Sequence, residues 1–222
     1  MIKLTDAALY YKEESHQFEA FEWLETQVDP TTLEIFGQKY RTKPEGLVAN
    51  PLLVPYQSQN DNASGTGYRE CFSSSMAMIA MYWGKVQNDD EYNRIRSKYG
   101  DTTDASAQLA CLRSLGLNPS FVTNASTQTL QNEIDNGRPV GTGWLHHGPY
   151  TAPSGGGHWT VVIGTYEGGG VIMNDPNGEA NLVAGGYTSN LNGASLKYSY
   201  RHWEPRWSPG GKNDGWCMIV KP

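Results

Sequence analysis

No run of eighteen apolar residues occurs anywhere in the chain, which excludes a membrane-spanning helix. The opening residues Met1-Ile2-Lys3-Leu4-Thr5-Asp6 do not lead into the apolar core of a secretory signal. Synthesis in the cytoplasm without a signal peptide is therefore expected, and any release needs another route. Cysteine is scarce: Cys71, Cys111 and Cys217 are an odd number without metal-type spacing, so neither a zinc site nor a disulfide is expected. His146-His147 has no Asp or Glu at ligand spacing and reads as a loop or cleft pair. Asp61-Asn62 and Asp89-Asp90 do not form an ordered Asp-x-Asp-x-Asp-Gly calcium loop. No metal and no cofactor is expected. The 17 Lys and Arg are scattered and outweighed by 23 acidic residues, giving a net charge of −6. That is not a nucleic-acid footprint. Internal repeats are also lacking.

What the chain does have is enough apolar material for one packed core: 38% hydrophobic residues within 222, with aromatics at 11%. Twenty-five glycines favour a loop-rich α+β fold over a helical bundle. A monomer is expected.

Residues 1–45 read as a helical segment. Phe18, Phe21 and Leu24 share one face, Asp29-Pro30 breaks that helix, and Leu33, Ile35, Phe36 and Tyr40 belong to a second. The segment is expected to pack on the main domain; a separate targeting module is the alternative. Thr42 to Pro51 reads as a linker, and residues 46–222 as the main domain. Leu52 to Gln59 is extended and enters a Gly/Asn/Ser loop. A helix follows from Cys71 to Tyr82, filled with small and apolar residues, buried on most sides and closed by Gly84. Further helices are expected at Asp89–Tyr99, Ala105–Leu115 and Thr127–Asn136, each stopped by glycine. Pro119–Thr123 is a short strand. From residue 139 the period changes to two, giving strands at Pro139–Leu145, His158–Tyr166, Val171–Pro176, Leu196–Trp203 and Trp216–Val220. Helices first and an antiparallel sheet afterwards is an α+β order.

Chemistry concentrates in three places. Cys71 sits in the first turn of its helix, where the dipole stabilises a thiolate; the bland alternative is a small buried hydrophobe. His158 opens one strand of a hairpin and Asp175 ends the other, so imidazole and carboxylate fall at the same end of adjacent strands. A helix-borne thiol at that end completes a Cys-His-Asp set. In such a set His takes the thiol proton and later protonates the leaving amine, while Asp orients the imidazole. Cys111 and Cys217 read as core residues. Trp83, Trp144 and Trp159, near these motifs, are core residues or line a cleft.

Several stretches together carry a family resemblance: Val54-Pro55-Tyr56-Gln57-Ser58-Gln59, Cys71 heading a helix that ends Tyr82-Trp83-Gly84, Gly137-Arg138-Pro139-Val140, Gly156-Gly157-His158-Trp159 and Val171-Ile172-Met173-Asn174-Asp175-Pro176. Over about residues 50–220 the chain resembles the C-thirty-nine-like cysteine peptidases, papain-like relatives of bacteriocin-processing domains. The resemblance implies a papain-like fold with the nucleophile helix packed on a C-terminal antiparallel sheet. It further implies Cys71 as nucleophile, His158 as base and Asp175 as orienting residue. Gln59 is implied as an oxyanion-hole donor with the Cys71 N–H, and Gln57 competes for that role. Two departures stand out: Phe72 follows the cysteine where the family has a small residue, and the Gln59-to-Cys71 interval is long. A short likeness of Tyr10-Tyr11-Lys12, His16-Gln17 and Trp23-Leu24 to bacteriophage lysis proteins shifts the expected substrate to peptides of bacterial peptidoglycan, reached after release. The alternatives are a protease processing protein or peptide substrates, and a non-catalytic binding or virion module that keeps the fold.

Overall fold

The computed structural model describes residues 50–166 and 168–222. The helical pair expected within residues 1–45 and most of the expected linker lie outside the described residues. So does Glu167 in the hairpin turn.

The organising helix, α1 (Cys71–Tyr82), is buried from Phe72 to Ala80. It has no single apolar stripe, because it is covered on nearly every side. Three consecutive serines make that burial tolerable by each finding a partner on a different element. Ser73 Oγ pairs with Thr102 Oγ1 at 2.7 Å and accepts from Gln108 Nε2 at 2.9 Å. Ser74 Oγ donates to Asp89 Oδ2 at 3.0 Å, and Ser75 Oγ to the Trp159 carbonyl at 2.9 Å. Gly84, at φ 67°, closes the helix: its N–H bonds the Met81 carbonyl and that of Lys85 reaches back to Ala80. This is the double-bonded left-handed cap that glycine favours.

Two helices flank α1. One is α2 (Asp89–Arg96), which starts at the Asn88 side-chain cap. The other is α3 (Ala105–Ser114). A helix α4 (Thr127–Asp135) follows, opened by a Ser126/Thr129 capping box.

The six-stranded sheet comprises β1 (Asn118–Ala125), β2 (Val140–Trp144), β3 (His158–Tyr166), β4 (Gly170–Asn174), β7 (Leu196–Ser199) and β8 (Gly215–Lys221). Its order is β1-β8-β2-β3-β4-β7, with every pair antiparallel. Between β4 and β7 the chain forms a small second hairpin, β5 (Glu179–Ala180) with β6 (Tyr187–Ser189). One face of the sheet takes α1 at very short range. A Cβ on Gly141 of β2 would stand 2.4 Å from the Met76 Cε and 3.3 Å from the Met218 Cβ, so the glycine leaves room for the Met76 side chain of α1 against the strand. The hydrophobic core lies between them, with Met76, Ile79, Val161 and Met218 fully buried.

The strand expected over Leu196–Trp203 is half right. β7 ends at Ser199, and residues Tyr200–Trp207 form a helix, α5. Trp203 and Trp207, four apart, stack at 5.0 Å with 13° between their planes, a contact only helical spacing provides. Among the described residues, the other expected elements are present, with ends moved by a few residues. The β5–β6 hairpin was not anticipated.

Candidate active site

Cys71 is the first residue of α1, and its side chain is half-buried. Phe72, the departure noted above, stacks face to face on Trp159 at 3.8 Å and 5°. Together with the bond from Ser75 to the Trp159 carbonyl, this stack pins the first turn of the helix to the start of β3. A large ring after the cysteine is thus a structural anchor here.

His158 begins β3 and is 4% exposed; Asp175, one residue beyond β4, is fully buried. The Nε2 of His158 pairs with Asp175 Oδ1 at 2.7 Å. The sequence arithmetic of strand, turn and strand therefore holds, even with the bulge between Val162 and Gly164. With Nε2 held by the carboxylate, Nδ1 is the nitrogen left for the thiol. Trp144 meets the His158 ring edge-on at 5.4 Å and shields it from one side.

The electrostatics agree with the geometry. Burial pushes the Cys71 thiol up, but the charge of His158, its hydrogen bond and the Trp159 backbone N–H outweigh burial and bring it below the ordinary thiol range. Burial pushes His158 down, but Asp175 and Cys71 outweigh it, so the imidazole is raised. Both shifts favour a thiolate–imidazolium pair. The other two thiols go the opposite way: burial raises Cys111, and raises Cys217 to about 12. Both are core residues, as expected.

The long interval between Gln59 and Cys71 is folded around one acid. Glu70, 3% exposed, accepts hydrogen bonds from Asn62 Nδ2 at 2.6 Å, Thr66 Oγ1 at 2.7 Å, Ser64 Oγ at 2.8 Å and Asn93 Nδ2 at 3.3 Å. The loop is tied across the site as well. Gln59 donates its backbone N–H to the Pro176 carbonyl at 2.8 Å and its Nε2 to the Gly67 carbonyl at 2.9 Å. It therefore joins the approach to Cys71 with the residue after Asp175. Gln57 is engaged elsewhere: its Oε1 accepts the Asp89 N–H at the start of α2, and its Nε2 bonds the Tyr56 carbonyl.

Asp175 has further partners that the sequence did not reveal. Its carboxylate also accepts the Asn177 N–H at 2.9 Å, Tyr198 Oη at 3.1 Å and Tyr187 Oη at 3.3 Å. Tyr56 Oη bonds its backbone carbonyl at 3.2 Å. His146, read as a loop or cleft residue, faces the site with its ring 5.6 Å from that of His158. Burial, with His158 and His147 adding to it, brings His146 down to about 4, so it is neutral beside the imidazolium. The loop carrying it is fastened by Arg206 of α5. That guanidinium, almost fully buried, donates to the carbonyls of Leu182, Leu145, His147 and Gly148.

Compared with known proteins, the chain matches the model of the Peptidase_C39 like family over residues 51–202. No curated protein matches it. Among solved structures it is similar to a double glycine motif protease from an AMS/PCAT transporter in complex with the leader peptide. That likeness has 20% identity and a TM-score of 0.50, covering 78% of this chain and 94% of the other. It is also similar to a protein from Bacillus anthracis described as a C-thirty-nine-like peptidase, with 16% identity and a TM-score of 0.52, covering 77% and 96%. At these identities the structures speak for the fold, which is the papain-like α+β arrangement expected from the sequence.

Proposed function

The chain belongs to the Peptidase_C39 like family and is a cysteine peptidase, and we propose that Cys71, His158 and Asp175 carry its reaction on peptide or protein substrates. The observation behind this reading is the pairing of His158 Nε2 with Asp175 Oδ1 at 2.7 Å beside the one thiol whose pKa is lowered.

The sequence of steps follows from which atoms are free. The Cys71 thiolate attacks the scissile carbonyl carbon, and the C=O electron pair moves onto oxygen. The Cys71 N–H lies at the start of a helix without a side-chain cap, so it is available to that oxyanion. The second N–H of the Gln59 amide, beyond the one on Gly67, is the other donor. The intermediate collapses by breaking the C–N bond, and the Nδ1 proton of the imidazolium goes to the leaving amine. A thioester remains. Water then gives a proton back to Nδ1 as it attacks, the C–S bond breaks, and the acid product leaves with the thiolate–imidazolium pair restored. Asp175 holds the ring through Nε2 in both halves of the cycle.

The substrate class favoured is a peptide or protein segment to be processed. The transporter protease with the same fold is named for a double-glycine motif, so peptides containing Gly-Gly are the first to try. The peptidoglycan reading draws on Tyr10 to Leu24, outside the described residues, and enters as a second arm of the test. Purified protein and its Cys71→Ala variant are incubated with a Gly-Gly peptide set and, separately, with peptidoglycan sacculi, and the products are identified by mass. Cleavage of peptides by the parent alone supports the proposal. Release of wall fragments alone would favour a lytic role, and equal activity in the Cys71→Ala variant would overturn the mechanism.

A further inference from the structure

Around Asp175 the structure shows more donors than a catalytic carboxylate needs merely to be buried. Its Oδ1 is shared by His158 Nε2 and the Asn177 N–H, its Oδ2 takes Tyr198 Oη at 3.1 Å, and Tyr187 Oη spans both oxygens, 3.3 Å from Oδ2 and 3.4 Å from Oδ1. The two tyrosines come from different elements. Tyr198 lies on β7, the edge of the main sheet, and is 2% exposed. Its hydroxyl also accepts the Ala180 N–H at 3.0 Å, so it passes a backbone hydrogen bond on to the carboxylate. Tyr187 lies on β6 and faces the His158 ring at 5.6 Å and 85°. Ala180 and Tyr187 are cross-strand partners in the small hairpin. That hairpin therefore delivers to Asp175 one donor directly and one through Tyr198.

We infer that Tyr187 and Tyr198 are positioning residues of the peptidase reaction, Tyr198 holding Asp175 Oδ2 and Tyr187 spanning the two oxygens, so that Oδ1 stays on His158 and Nδ1 stays turned to Cys71. This rests on the catalytic reading above. A carboxylate's terminal torsion is soft and two-fold, so packing alone does not fix which oxygen faces the imidazole. A hydroxyl donor on the far oxygen, Tyr198, with a second spanning both, Tyr187, does. Both phenols keep the proton they donate to the carboxylate, since burial first and then the nearby Asp175 charge push each well above the ordinary phenol range. The other ionisable groups at the site are Cys71 and His146 beside His158, Tyr56 on the Asp175 carbonyl, and Glu179 near Tyr198.

The test uses Tyr187→Phe, Tyr198→Phe and the double variant of the full chain. Tyr187→Phe is the cleaner variant, because Tyr187 Oη bonds the Asp175 carboxylate and the Asn177 side chain, whereas Tyr198→Phe strips a partner from the buried Ala180 N–H. Thiolate formation at Cys71 is followed by ultraviolet absorbance and by iodoacetamide alkylation against pH, with a Cys71→Ser blank. Each single variant should fold and shift the thiolate midpoint upward by about one pH unit. kcat should fall on the order of tenfold with KM unchanged, part of the contribution of a positioned acid–base. The double variant should exceed either. If Tyr187→Phe folds and its thiolate curve is unmoved or shifts to lower pH, the positioning role is wrong, because the hydroxyl would then merely dilute the carboxylate's charge. If the parent itself shows no low-pH thiolate at Cys71, the catalytic reading fails instead.

Discussion

Replacing Glu70 by Gln tests how the site is supported, because it removes one charge and keeps the volume. Burial raises the Glu70 pKa, but the hydrogen bonds from Asn62, Thr66 and Ser64, with Arg96 nearby, outweigh it and leave the group below 4.5. The ionised form therefore stabilises the fold above that value, and the contribution is lost as pH falls through the lowered pKa. Two of its four donors, the Asn62 and Asn93 amides, are buried. Hydrogen bonds to a charged acceptor contribute about 1.5–3 kcal/mol each. The 3.3 Å bond from Asn93 belongs at the low end, and Ser64 and Thr66 can rehydrate at the surface. The loss expected is about 3–5 kcal/mol, a fall in Tm of roughly 10 °C for a domain of this size. Because the same loop holds Gly67, the partner of Gln59, kcat/KM should fall on the order of tenfold even well below the melting point. Calorimetry near neutral pH and a peptide-cleavage assay at low temperature read the two effects. If Glu70→Gln melts within about 2 °C of the parent and cleaves normally, the acid does not organise this loop.

Activity should follow a bell in pH, its acid limb below the ordinary cysteine range and its basic limb above the ordinary histidine range, since Cys71 is lowered and His158 raised; a profile centred outside that interval refutes the ion pair. Iodoacetamide at mildly acidic pH should label Cys71 and spare Cys111 and Cys217, which peptide mapping shows directly. Asp89, pushed up to about 6 mainly by burial, holds its proton more tightly when folded, so stability falls as pH rises from about 4 to about 6. Asp89→Asn should accordingly raise stability near neutral pH by up to about 3 kcal/mol, a gain that fades on acidification; a loss at neutral pH would show that the charge is needed at the start of α2. Phe72→Ala should loosen the first turn of α1 and lower kcat more than stability alone explains, which comparing rates with Tm checks.

Much of this was legible from residues alone. Cys71, His158 and Asp175 were placed by local rules: a helix start, a strand start, and a hairpin that brings two strand ends together. The strand reading of Tyr200–Trp203 fails because its aromatic-rich run looks like a continuation of β7, while the four-residue spacing of Trp203 and Trp207 signals a helix. Gln57 and Gln59 could not be separated by sequence, since only the fold shows one committed to α2 and the other bridging to Pro176. Glu70 with Asn62, Ser64 and Thr66 has no period and no motif; the nearest signal is an acid among loop hydroxyls just before Cys71. Tyr187 and Tyr198 meet Asp175 only through the order of β4, β6 and β7, and nothing local in the sequence encodes that convergence.

The three serines of α1 have a mechanical consequence. A helix seated by an apolar stripe can roll a few degrees or slip along its axis, because greasy contacts are nearly indifferent to small rotations. Here Ser73, Ser74 and Ser75, about 100° apart around the axis, are latched to three different neighbours. Any roll that eases one latch strains another. The helix is indexed like a shaft held by three keys, and the sulfur at its tip inherits that bearing. Random variation of its methionines should thus alter melting far more than the thiol's aim, whereas a single serine-to-alanine change should do the reverse.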